Sequence, residues 1–228
     1  MLRISNFLAQ ATGESRRKSE ALVTSERIRV NGELITDLAY RVSDKDIVRL
    51  DGKELSLIPK VYYLLNKPSG YTTTRADRYA KKIIIDLVPN NPPIFPVGRL
   101  DRETRGLIIL TNDGTLANKL THPSFEKEKE YAVITNRNLT KKEINLLASG
   151  IKLEEGKTRP AKILRLDERK YSIIIHEGRK RQIRRMLEAI KVQILDLQRI
   201  RINRLKIGNL KEGQYRKLTQ TEVKKLYD

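Results

Sequence analysis

Pro59 is where this chain changes character, and the change restricts it to two folding units of different kinds. Before it lie 58 residues in which two short amphipathic stretches are followed by two tight-turn dipeptides. Leu2, Phe7, Leu8 and Ala11 recur at helical spacing, and Ser15 is placed to cap a second helix that buries Ala21, Leu22 and Val23. Ile28 and Val30 then alternate ahead of Asn31-Gly32, and the pattern returns around Asp51-Gly52. Both dipeptides tolerate the positive φ that a tight hairpin turn requires. Two helices followed by short strands make a compact unit over residues 1–58.

The remainder, residues 60–228, reads differently. Residues 61–71 form a strand that ends in a Pro68-Ser69-Gly70 turn. Further strands are expected over 107–110, 131–134, 163–166 and 171–176, while 83–88 fits either a strand or a helix. Thr140 and Glu143 form a capping box, with Leu139 and Ile144 as the hydrophobic staple and Gly150 as the stop. A helix over about 181–190 puts Ile183, Met186, Leu187 and Ile190 on one face and leaves Arg181, Arg184, Arg185 and Glu188 largely off it. Packed on that face, it presents two or three guanidinium groups outward. Thr219 and Glu222 form a second capping box, ahead of a short helix that uses Val223 and Leu226.

Charge follows the same division. The 228 residues carry a net +19, yet residues 1–58 hold 10 Lys and Arg against 9 Asp and Glu, leaving 37 against 19 for the rest. Such an excess on a chain with 39% apolar residues calls for a polyanionic partner, nucleic acid first, although an anionic membrane surface would also attract it. The absence of cysteine excludes a disulfide framework, a thiolate zinc site and a cysteine nucleophile, and His122 and His176 are too isolated to build a metal site. Cofactor-free chemistry is expected. With no apolar leader and no stretch of about 20 apolar residues, the reading is a soluble, cytoplasmic protein without a membrane partner. Two self-sufficient cores make a monomer the simplest expectation.

Three stretches could carry chemistry. In VGRLDRETRGLIILTNDG, residues 97–114, Asp101 stands among Arg99, Arg102 and Arg105, which would keep its carboxylate ionised at neutral pH as a nucleophile or base requires. On spacing alone a surface loop of screened ion pairs is the favoured reading. In HEGRKRQIRRM, residues 176–186, five basic residues surround a strand-to-helix turn, a composition suited to phosphate contacts or to a solvated face. Tyr131 starts a strand between basic residues, either as a core or edge aromatic or as a platform for an unstacked base. No P-loop or dinucleotide-binding glycine pattern is present.

Together these stretches resemble the RsuA/RluB-type pseudouridine synthases. GRLDRETRGLIILTNDG is similar to the family's central motif, NKPSGYTTTRAD to its first, THPS with KEYAV to its next and EGRKRQIRRM to its third. SRRKSEALVTSERIRVNGELI resembles the S4-type RNA-binding domain that precedes the catalytic domain. The resemblance implies an α+β protein: a small S4-like domain over 1–58, then a catalytic domain over 60–228 with a mixed, mostly antiparallel sheet. It implies that Asp101 is catalytic, that Tyr131 stacks on the target uracil, that Arg184 pairs with the carboxylate, and that Arg99 and Leu205 contact the substrate. RNA contacts would come from Arg16, Arg17, Lys18, Arg179, Lys180, Arg181 and Arg185. Arg3, Arg16, Arg17 and Lys18 are expected to share one face of the small domain, with its acids elsewhere.

The implied reaction isomerises a uridine within ribosomal RNA, without a cofactor and with large-subunit RNA as the favoured substrate. Small-subunit RNA, or a non-catalytic role in ribosome assembly, remains the alternative. The carboxylate could attack the anomeric carbon, attack carbon 6 of the ring, or deprotonate the sugar. Two positions depart from the family pattern: Asn203 stands where glycine is common, and Arg105 where a small residue is common.

Overall fold

A computed structural model describes residues 1–227, which divide into two compact units. The first comprises Met1–Val61 together with Pro89–Ile94 and Thr111–Gly114. Strand β1 (Leu2–Arg3) leads into helix α1 (Ile4–Thr12), which Gly13 ends in the left-handed conformation with its N–H on the carbonyl of Ala9. Helix α2 (Arg16–Thr24) starts at Ser15, whose hydroxyl accepts the N–H of Lys18. Strands β2 (Ile28–Val30) and β3 (Glu33–Leu34) turn through Asn31-Gly32; after β4 (Arg41–Val42), strands β5 (Val48–Leu50) and β6 (Lys53–Glu54) turn through Asp51-Gly52. All four turn residues have positive φ, as the sequence requires. Ile4, Phe7, Leu8, Val23, Ile28, Val30 and Val48 form the core.

The later segments join this unit through hydrogen bonds that local periodicity does not reveal. Thr111 donates to the carbonyl of Val61 at 2.6 Å, and the Asn112 side chain accepts from Val61 N–H and donates to Pro59 O, both at 2.9 Å. Lys60 pairs with the buried carboxylate of Asp113 at 3.1 Å.

The second unit runs over Tyr62–Val88, Phe95–Leu110 and from Thr115 onward. It contains β7 (Tyr62–Lys67), β8 (Phe95–Pro96), β9 (Arg105–Thr111) up to Leu110, α3 (Gly114–Thr121) from Thr115, β10 (Lys129–Thr135) and α4 (Lys141–Ser149). There follow β11 (Lys152–Leu153), β12 (Gly156–Lys157), β13 (Lys162–Asp167), β14 (Lys170–Ile175) and α5 (Gln182–Glu188). The last elements are β15 (Ile194–Ile202), β16 (Leu205–Lys206), β17 (Tyr215–Lys217) and α6 (Gln220–Tyr227). Both capping boxes form, at Thr140 with Glu143 and at Thr219 with Glu222. The ambiguous stretch near residue 83 is a 3₁₀ turn, Ile84–Leu87.

The main sheet has the order β13-β14-β10-β15-β9-β7-β17, with β16 on β15 and β8 on β9. Neighbours from β13 to β15 are antiparallel, as are β7 and β17, whereas β15 meets β9 in parallel through only two register pairs, Gln198 with Arg105 and Arg199 with Gly106. The fold is therefore α+β with a mixed, mostly antiparallel sheet. Leu64, Leu107, Ile109, Leu116, Leu120, Leu205 and Leu226 pack in one core cluster.

Candidate active site

The loop from Leu100 to Thr104 is held by the strand-turn stretch that begins at Asn66. Lys67, fully buried at the end of β7, donates its ammonium hydrogens to the carbonyls of Pro68 (2.9 Å), Arg102 (3.1 Å) and Thr104 (2.8 Å). Burial lowers its pKa to about 8, against the opposing pull of the nearby Glu103, Asp101 and Glu212 carboxylates. Gly70 N–H donates to Arg102 O at 2.8 Å, and the buried Thr73 hydroxyl donates to Leu100 O at 2.7 Å and accepts from Leu100 N–H at 3.3 Å. Thr104 N–H closes the turn on the carbonyl of Asp101 at 3.0 Å. A short, polar stretch thereby holds a fixed shape, which positioning a reactive side chain requires.

Asp101 lines a cavity of about 560 Å³ within the second unit, a volume in the range of small-molecule sites. Tyr131 of β10, Arg184 of α5, and Arg99, Arg179, Lys180 and Arg181 also line it. Tyr131 is nearly buried. Arg184 donates through Nη2 to Thr104 Oγ1 at 3.2 Å, while its buried Nε has no protein partner. Among the described residues no ion pair joins Arg184 to Asp101, although both line the same cavity. Leu205 is not brought to the cavity wall: it packs in the core cluster with Val97, Leu120 and Ile202, which do line the cavity.

Several arginines are committed elsewhere, and this corrects the sequence picture. Of the three expected around Asp101, only Arg99 lines the cavity; Arg102 donates to Gly70 O at 3.3 Å, and Arg105 forms a two-pronged pair with Asp196 at 2.8 and 2.6 Å. Arg179 tethers parts of the fold. Its guanidinium donates to Glu177 (3.1 Å) and to the carbonyls of Gly156 (2.9 Å) and Lys157 (2.7 Å), tying the loop before α5 to β12. Arg185 pairs with Glu155 at 2.6 Å and Arg181 with Glu103 at 3.5 Å, so α5 does not present an array of free guanidinium groups. Lys180 is exposed. In the first unit, Arg16 pairs with Glu20 at 3.0 Å and Lys18 with Glu14 at 3.1 Å, so acids stand beside the basic residues rather than elsewhere; Arg17 is exposed.

Sequence reasoning missed three cations in the cavity lining, Lys127, Lys129 and Arg199. Lys129 and Tyr131 share one face of β10, and Arg199 stands opposite Tyr131 in the register with β15. A β-bulge accounts for the arrangement: the register shifts between Glu130 and Tyr131, so Arg199 and Arg201, two apart on one strand, end on opposite faces. Arg201 binds Glu130 (2.6 Å) and Glu128 (2.8 Å) on the reverse side, while Arg199 enters the cavity wall. Gly106 makes room for it. At φ +109° this glycine lies against β15 so closely that an added Cβ would stand 2.3 Å from Arg199 O and 2.7 Å from Arg199 N. His122 and His176, read from the sequence as ordinary residues, also reach the lining.

Residues 61–189 match the family model described as RNA pseudouridylate synthase, and residues 2–48 match the S4 domain. A Bacillus subtilis (strain 168) protein named ribosomal large subunit pseudouridine synthase B is 41% identical, over 99% of this chain and 96% of its own length. An Aquifex aeolicus (strain VF5) protein called an uncharacterized RNA pseudouridine synthase is 39% identical over 99% of this chain and 94% of its own. A solved structure titled as a pseudouridylate synthase superposes with a TM-score of 0.72 at 31% identity, covering 99% of this chain and all of that one.

Proposed function

The chain belongs to the RNA pseudouridylate synthase family and carries an S4 domain, and from that premise we propose that it isomerises a uridine of large-subunit ribosomal RNA. The carrying observation is the single cavity shared by Asp101 and Tyr131. The target nucleotide leaves its stack and enters that cavity, at a cost of a few kcal/mol that stacking on Tyr131 and phosphate contacts offset. Asp101 acts on the nucleotide so that the bond between the anomeric carbon and ring N1 breaks. The released uracil turns, carbon 5 bonds to the anomeric carbon, the carbon 5 proton departs, and N1 takes up a proton. Atoms and electrons balance without an added oxidant or reductant.

Arg184, already anchored on Thr104, supplies a cation beside the carboxylate, and Arg99 and Lys180 meet phosphates at the mouth. Arg16, Arg17 and Lys18 of the S4 domain add a second RNA contact. The large-subunit assignment rests on the name of the Bacillus subtilis relative. The protein acts as a monomer in the cytoplasm, in keeping with two units that each bury a core and with described helices too short and polar to cross a membrane.

The test is tritium release from ribosomal RNA labelled at carbon 5 of uridine, with large- and small-subunit transcripts and particles in parallel, using wild type and Asp101→Ala. Release from the large-subunit RNA that disappears in the variant is expected. Release only from small-subunit RNA would move the substrate, and none from any RNA would favour a binding role in ribosome assembly.

A further inference from the structure

We infer that Arg199, with Lys129 beside it, holds the carbonyl oxygens of the uracil and stabilises the negative charge the base acquires as its glycosidic bond breaks. The inference rests on the pseudouridine synthase reading above.

Arg199 is 2% exposed and yet lines the cavity. Its Nε donates to Leu107 O at 2.8 Å, and its Nη2 is buried without a partner. Lys129 also lines the cavity, and the protein partner of its ammonium is the carbonyl of Lys127 at 3.2 Å. Burial, and then the positive charge of Arg199, lowers the Lys129 pKa to about 8. Among the described residues, neither cation has a carboxylate within ion-pair distance. A buried guanidinium and a half-buried ammonium lining one cavity without an ion-paired carboxylate are unfavourable unless an anion arrives there.

The same two strands make the contrast on their reverse face. There Arg201 faces Glu130 and Glu128, so acids were available and the bulge keeps them away from the cavity. Position favours the base over a phosphate as the ligand. Arg199 lies opposite Tyr131 in the sheet, deep in the wall, whereas exposed cations such as Arg99 and Lys180 stand where a backbone phosphate would remain.

The chemistry supplies the anion. When the bond between the anomeric carbon and N1 breaks, both electrons leave with the ring, and the charge spreads from N1 onto O2 and O4. It disappears once carbon 5 has bonded to the anomeric carbon, its proton has left to solvent and N1 has been protonated. Fixed cationic donors at the carbonyl oxygens lower the barrier because they need no reorganisation as the charge develops.

The experiment measures single-turnover conversion with saturating enzyme for wild type, Arg199→Gln, Arg199→Lys and Lys129→Gln. R199Q is expected to slow uridine conversion by about 10²- to 10³-fold, with RNA affinity within about threefold, and R199K to keep more of the rate. K129Q, which loses one hydrogen bond to a carbonyl, serves as the second variant should R199Q fold poorly, and it is expected to slow conversion in the same sense. RNA carrying 5-fluorouridine at the target separates charge stabilisation from a structural role, because its ring anion is intrinsically more stable. The R199Q deficit, followed as loss of the substrate nucleoside, should shrink about tenfold or more on that RNA. An equal deficit on both substrates, an unchanged rate in both R199Q and K129Q, or lost affinity with a flatter salt dependence overturns the inference. Wild type that converts no uridine overturns the parent reading instead.

Discussion

The two faces of the β10–β15 ladder use the same residue types for opposite purposes. On the reverse face Arg201 is enclosed by Glu130, Glu128 and the carbonyl of Asn203, at 2.6, 2.8 and 2.6 Å, and the Glu130 carboxylate also accepts from Ser172. On the cavity face, among the described residues, neither Arg199 nor Lys129 has a carboxylate within ion-pair distance, although Asp101 lines the same cavity. Identical cations thus divide into those neutralised by the fold and those left for a ligand, and the first group should matter for stability, the second for turnover.

Lys67 tests that division most severely, as a buried cation whose direct hydrogen-bond partners are carbonyls rather than carboxylates. Lys67→Met leaves three carbonyls without their donor and should lower stability by about 3 kcal/mol or more, read as a shift of the urea midpoint. An unchanged midpoint would mean that the loop around Asp101 is held by its backbone and not by this ammonium. Next comes Arg201→Ala, expected to reduce stability by about 2 kcal/mol through two partly buried, abandoned carboxylates, while conversion per bound RNA stays within about threefold. If turnover falls as it does for R199Q, the two faces are not functionally distinct.

Arg179 and Lys180 are neighbours on opposite sides of the same division. Arg179→Ala should lower stability by about 1–2 kcal/mol by releasing β12, with little change in salt dependence. Lys180→Ala should leave the urea midpoint in place and reduce the salt slope of RNA binding by about one. Titrating both variants with salt and urea checks the pair. The smallest effect concerns acid. Glu222, held by Arg216 and by the backbone N–H of Thr219, has its pKa lowered from 4.5 to about 2, and Glu143 is lowered equally by Arg137 and the Thr140 cap. A lowered folded-state pKa contributes stability above pH 4.5 that is lost as pH falls toward 2. Glu222→Gln should flatten that part of the acid unfolding curve; an unaltered curve would mean that the pair exists to shape the α6 cap only.

Local chemistry was legible in the sequence and long-range partnership was not. Ser15, Thr140, Thr219, Asn31-Gly32 and Asp51-Gly52 were readable because a cap or turn is completed within a few residues. Asp101 and Tyr131 were readable through the motifs around them, and the structure brings both to one cavity. The partners of Arg105, Arg179 and Arg185 were not legible, because Asp196, Gly156 and Glu155 lie 91, 23 and 30 residues away. β15, the strand that joins the two halves of the main sheet, left no clear alternation because its bulge breaks the period of two. An unbroken strand would place Arg199 and Arg201, two residues apart, on one face.

The glycine beneath Arg199 gives this arrangement a consequence for mutational tolerance. In a library of all single substitutions scored by RNA modification, position 106 should be as intolerant as position 101, though it carries no chemical group. Every side chain, alanine included, begins with the Cβ that would overlap the β15 backbone. Activity lost there would reflect occupied space between two strands, and only the abundance of folded protein would tell such a variant from one that has lost its carboxylate.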